Sequence, residues 1–163
     1  MDREKEQRVG NKIDKLNLQL TPVLVSACLL GIRCRYDRGH NRTEDVIEIV
    51  KEIRFIPICP EQLGGLPTPR APSNIIDGDG KDVLNGNARV ISITGEDVTG
   101  AFIEGAEESL KLAILSGAKK AILKRRSPSC GLSTPYCETN SGYGPGVTAA
   151  LFTRHDIEII EAG

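Results

Sequence analysis

Tryptophan is absent from the 163 residues, and aromatic side chains make up only 4% of them. A protein that grips single-stranded nucleic acid by stacking bases on rings needs more. An excess of one charge is also missing: 21 Lys and Arg stand against 22 Asp and Glu, a formal net charge of −1. That balance argues against a strongly electrostatic nucleic-acid binder, although it leaves room for a local basic patch. No apolar run is long enough to span a bilayer, and the charged first residues, "MDREKEQRVG", do not read as a signal peptide. A cytoplasmic, reducing setting without a membrane partner is therefore expected. The chain is long enough to bury a core without cross-links.

What is present in that setting is five cysteines: Cys28, Cys34, Cys59, Cys130 and Cys137. An odd count leaves at least one unpaired, and intracellular thiols are more often metal-binding or catalytic than cross-linked.

Hydropathy patterning places these thiols. Residues 1–20 mix both charges with scattered apolar positions and read as an N-terminal extension. From residue 21 onward the pattern alternates. Strands are expected over 22–27 (PVLVSA), 55–59 (FIPIC), 88–93 (ARVISI), 119–124 (KKAILK) and 157–161 (IEIIE). Pro57 marks its strand as an edge or a strand end. Helices are expected over 43–52, with Thr43 as N-cap, and over 96–117, with Val98, Phe102, Ala106, Leu110, Ala113 and Ile114 on one stripe and Gly117 as C-cap. A third helix is expected over 145–155. The alternation predicts an α/β layered sandwich, Rossmann-like, with a mostly parallel sheet in one domain over 21–163. The segment 67–87, rich in Pro, Gly, Asp and Asn, reads as a long surface loop or a flap over a site.

In such a sheet the loops beyond the carboxyl ends of the strands share one edge, where ligands bind. Cys28, Cys59 and Cys130 each follow a predicted strand, so three sequence-distant thiols converge there. Cys34 is divided between packing and supporting a ligand, and Cys137 reads as packing. Structural zinc favours closer cysteine pairs than Cys28 and Cys34 offer. An iron–sulfur cluster tolerates irregular spacing, and three thiolates on four irons leave one iron open. Inert buried thiols remain the plainer alternative. Glu61 in "CPE" and Ser127 in "SPSCG" stand beside two of the thiols; alone, each reads as a turn or helix-start residue. Lys124, Arg125 and Arg126 precede the last of these loops and can meet a phosphate or a polar base. Gly146, in "SGYGPG", precedes a helix and reads as part of an anion cradle. Asn41 is a further substrate-contact candidate.

The ordered set "VSACLLGIRCRYD", "CPEQLGGLPTPR", "GEDVTGAFIEGA", "AILKRRSPSCG" and "GVTAAL" resembles the thiouracil desulfidases, a bacterial family formerly of unknown function, from about Val23 to the C-terminus. The resemblance implies a 4Fe-4S cluster held by Cys28, Cys59 and Cys130, with Glu61 and Ser127 as the catalytic pair. It implies replacement of a thiolated uracil's sulfur by oxygen from water. Two segments depart from the family: "PRAPSN", with Asn74, and "YCETNSG", with Cys137 and Glu138. Both are expected to line the substrate pocket. Two other readings are carried forward. In one, thiouridine in a nucleotide or RNA replaces the free thiolated pyrimidine. In the other, the chain is a non-enzymatic metal-binding scaffold.

Overall fold

The computed structural model describes residues 21–163; the expected extension over 1–20 lies outside the described residues. The strands are β1 (Val23–Ser26), β2 (Phe55–Ile58), β3 (Ser73–Ile76), β4 (Arg89–Ser92), β5 (Lys120–Lys124) and β6 (Glu158–Ala162). The α-helices are α1 (Glu44–Lys51), α2 (Pro60–Leu63), α3 (Gly80–Leu84), α4 (Thr99–Ser116) and α5 (Val147–Arg154). A 3-10 turn, Ala27–Leu30, follows β1 directly.

The central sheet runs β2-β1-β5-β6 and every pairing in it is parallel. Its inner strands are apolar on both faces, as a sheet covered on two sides requires. Leu24, Ala121 and Leu123 point to one core, shared with Ala113 of α4 and Phe152 of α5. Val25 and Ile122, one residue out of step, point to the other, shared with Val46 and Val50 of α1. Pro57 sits on β2, an edge strand, where a missing N–H is tolerated. Gly117 closes α4 in the left-handed conformation at φ 73°, donating to Ala113 and Ile114 carbonyls.

Four expectations change. Residues 88–93 do not join the parallel sheet: β4 pairs antiparallel with β3 in a separate two-stranded ribbon. The supposed loop 67–87 therefore contains a strand and a helix. Alternation explains the ribbon, since Ile75 and Val90 are fully buried while Asn74 and Arg89 face out. The "DGDGKD" stretch becomes the start of α3, where Asp79 accepts the Lys81 and Asp82 amides and Asp82 accepts the Asp79 amide. Ile114 falls off the buried stripe of α4 and is 66% exposed. Thr43 occupies the N-cap position, but its hydroxyl donates to the Asn41 carbonyl instead of capping.

Candidate functional site

Because β1, β2 and β5 are parallel neighbours, their carboxyl ends share one edge, and a cavity of about 490 Å3 lies there. Cys28 lines it from the 3-10 turn after β1, which Gly31 closes at φ 88°. Cys59 lines it from the position between β2 and α2. Cys130 lines it from the loop after β5. Cys34 joins the same wall and is buried. Cys137 lies outside the cavity; its thiol donates to the Thr134 carbonyl at 3.3 Å and it packs against the core around Phe102.

Two local devices fix these segments. Helix α2 crosses α4 where only glycine fits: a Cβ on Gly105 would lie 1.9 Å from the Pro60 carbonyl oxygen, and one on Gly64 would lie 1.9 Å from that of Ala101. That approach pins the stretch carrying Cys59 and Glu61. The "SPSCG" loop is wound tightly: Arg126 is left-handed at φ 66°, and the Gly131 amide donates to the Ser127 carbonyl at 2.9 Å. The start of α5 then clamps the loop. The amides of Gly146, Val147 and Ala149 donate to the carbonyls of Gly131, Pro128 and Ser129 at 2.7, 3.0 and 3.1 Å. Gly146 is therefore buried, does not line the cavity and has no free amide for a substrate, which corrects its reading as a substrate contact.

The thiols differ in acidity. Hydrogen bonding from Cys34 outweighs burial and holds Cys28 below the usual thiol range. The same donor brings Cys59 down to about 7. Those two contacts push Cys34 itself far upward, so it keeps its proton. Burial pushes Cys130 up to about 12.

Glu61 lines the cavity and is gripped from both sides. Arg70 donates from Nε to Oε1 at 3.1 Å, with the two side chains only 7% and 19% exposed. Ser129 donates to Oε2 at 3.1 Å. Arg70 also reaches the Cys34 carbonyl at 2.9 Å, which ties the carboxylate to the cysteine wall. Ser127 lines the cavity and meets Ser129 at 3.0 Å. Asn41 lines the cavity as well; its oxygen accepts from Arg35 at 2.6 Å and its side chain also hydrogen-bonds Cys28. Lys124 lines the cavity while donating to the carbonyls of Arg125 and Gly163 at 3.0 and 2.6 Å. Of the two departing segments, Asn74 and Tyr136 line the cavity, whereas Glu138 turns away to accept the Asp77 amide.

Arg70 and Ser129 are the functional side chains that sequence reasoning missed. Ser129 stood inside a quoted motif, but nothing in the motif marked which serine faces the carboxylate. Arg70 pairs with Glu61 across a turn of no fixed period.

The donor set is sulfur-rich. Among the described residues no group of three or more His, Cys, Asp or Glu is gathered tightly enough for a single metal ion, where metal–sulfur bonds of about 2.3 Å would be needed. A polynuclear group spreads its anchoring points over its own internal bonds. Thiols lining one cavity from separate strand ends fit such a group.

Comparison with known proteins follows this chemistry. The family model described as 2-thiouracil desulfurase matches residues 23–162. A Bacillus subtilis (strain 168) protein named uncharacterized protein YbbK is 46% identical over 141 residues, spanning 85% of this chain and 93% of that protein. A solved structure of a 4Fe-4S-dependent thiouracil desulfidase, TudS, is 36% identical with a TM-score of 0.71, covering 86% of this chain and 89% of that one.

Proposed function

This chain belongs to the 2-thiouracil desulfurase family, and from that premise we propose that it exchanges the sulfur of a thiolated uracil for oxygen from water. The observation that carries the reading is the meeting of Cys28, Cys59 and Cys130, from three parallel strand ends, in one cavity with Glu61 and Ser127. These three thiols are the proposed holders of a 4Fe-4S cluster with one iron open. The cluster would supply a soft Lewis acid for the thiocarbonyl sulfur, which otherwise departs poorly.

The chain's own groups supply the rest. Arg70 and Ser129 hold the Glu61 carboxylate in place at the cavity wall, so Glu61 is the acceptor for a proton of the attacking water. Ser127, which lines the same cavity, is the proposed proton donor to the departing sulfur. Water adds its oxygen to the thiocarbonyl carbon, and the carbon–sulfur bond breaks with its electron pair on sulfur. The two water protons end on hydrogen sulfide, and no electron is gained or lost overall.

A second reading of the substrate rests on charge. Arg35, Arg70, Lys124, Arg125 and Arg126 line the cavity against Glu61 as its one carboxylate, and Arg125 and Arg126 are exposed at its rim. Guanidinium groups so placed suit a phosphate. That favours thiouridine carried as a nucleotide, or in RNA, alongside the free base.

The test is anaerobic reconstitution with iron and sulfide, followed by assay of 2-thiouracil, its nucleoside monophosphate and thiolated RNA. The expected result is one sulfide released per uracil-type product, with the new oxygen drawn from labelled water and turnover about 10²–10⁴-fold lower in Glu61→Gln. Sulfide release at the same rate from cofactor-free protein would overturn the reading.

A further inference from the structure

Two side-chain amides line the cavity, and they are held differently. Asn41 is locked, because its oxygen accepts from Arg35 at 2.6 Å. Asn74 is exposed to the cavity, and among the described residues no group hydrogen-bonds its side chain. Its backbone is fixed in β3, paired with Ile91 of β4, and the next residue, Ile75, is fully buried. The strand therefore holds Asn74 at the cavity wall and leaves its amide free to turn about its own side-chain bonds. We infer that Asn74 is a specificity-determining residue whose free amide admits 2-thiocytosine as a substrate alongside 2-thiouracil, an inference that rests on the desulfidase reading.

The argument is one of donors and acceptors. Beside its thiocarbonyl, 2-thiouracil presents a ring N–H donor and then a carbonyl acceptor. The same edge of 2-thiocytosine presents a ring nitrogen acceptor and then an amino donor. An asparagine amide carries one carbonyl oxygen and one NH2 group, so it pairs twice with either edge, and a half-turn of the amide changes one pairing into the other. A locked amide such as Asn41 would choose one order; the free Asn74 amide chooses neither. The rest of the wall is as tolerant. Tyr136 lines the cavity, tied to the ribbon by the Ile75 amide, which donates to its carbonyl at 2.9 Å. Its exposed ring offers a face on which any base stacks. The Glu61 carboxylate is taken up by Arg70 and Ser129 and does not select between the edges. The reaction balances as for the uracil. Water gives its oxygen to the thiocarbonyl carbon, the carbon–sulfur bond breaks with its electron pair on sulfur, and both water protons end on hydrogen sulfide. Cytosine is the product, with no electron gained or lost.

The experiment reconstitutes wild type, Asn74→Leu and Asn74→Asp anaerobically with iron and sulfide, counts the iron, and measures kcat and KM for 2-thiouracil and 2-thiocytosine. Wild type is expected to convert both bases, with one sulfide released per uracil or cytosine formed and kcat/KM values of the same order. Asn74→Leu is expected to keep full iron and its kcat while KM rises about 10-fold or more for both bases, the scale of a lost two-bond amide contact. Asn74→Asp keeps acceptors but has no donor, so it is expected to weaken both bases as well. Conversion of 2-thiouracil without 2-thiocytosine, an unchanged KM in Asn74→Leu, a penalty confined to one base, or iron loss from both variants would each overturn the inference. Wild-type turnover separates the two claims. If loaded wild type converts neither base, the desulfidase reading fails, and calorimetric titration with uracil and cytosine judges Asn74 by itself. Similar affinities that fall together in Asn74→Leu would uphold its role, and an affinity for only one base, or no fall, would refute it.

Discussion

At the scale of the residue, a thiol brought down to about 7 stands beside one pushed up to about 12, so Cys59 and Cys130 differ before any cofactor binds. A thiol is reactive as thiolate. Cys59 is mostly thiolate above pH 7 and mostly thiol below it, so its reaction rate falls about tenfold per unit as pH drops below that point. In cofactor-free protein at pH 8, iodoacetamide is expected to label Cys59 and Cys28 well before Cys130 or Cys34, as read by peptide mass spectrometry. Cys130 labelling first would contradict the assignment of acidities. The cavity position of Cys28, Cys59 and Cys130 was legible in the sequence because each follows a strand, whereas that of Cys34 was not. Their division by acidity was not, because it depends on Cys34 hydrogen-bonding two partners that only the fold brings near it. Ser129 and Arg70 were hidden for a like reason: their bonds to Glu61 span 68 and 9 residues, and no helical or strand period links them.

At the scale of the element, the parallel strands were the readable part. "VLVS" and "KAILK" are apolar on both faces, as buried parallel strands must be, and their order along the chain places three carboxyl ends together. The β3–β4 ribbon was not readable from "PTPRAPSNIIDGDG". Its short apolar pair is outnumbered by turn residues, and its partner strand lies beyond α3. The α2–α4 crossing turns packing into function. Gly105→Ala adds a methyl where the Pro60 carbonyl already sits. The helix-propensity gain of about 0.8–1 kcal/mol is smaller than the overpacking cost of about 1–3 kcal/mol, and the displaced segment carries Cys59 and Glu61. Gly105→Ala is expected to lower the denaturant midpoint and cut turnover, whereas Gly100→Ala, with open space at its Cβ, should raise or preserve both. Equal effects from the two substitutions would remove the crossing as the device that positions the segment.

At the scale of the whole molecule, a formal net charge of −1 conceals a cationic cavity, so composition alone understated what the site attracts. No helix among the described residues is long and apolar enough to cross a membrane. The family motifs were legible because they are runs of contiguous residues, and the substrate preference was less so because the cations come from separate loops. The account stands on three thiols acting as one anchor while two others do not. Iron and acid-labile sulfide should be counted per chain after anaerobic reconstitution of wild type and of the five single Cys→Ser variants. Four irons are expected in wild type and in Cys137→Ser, at least a partial load in Cys34→Ser, and none in Cys28→Ser, Cys59→Ser or Cys130→Ser. A full load in any of those last three, or an empty site in Cys34→Ser, would contradict the three-thiolate anchor with one open iron.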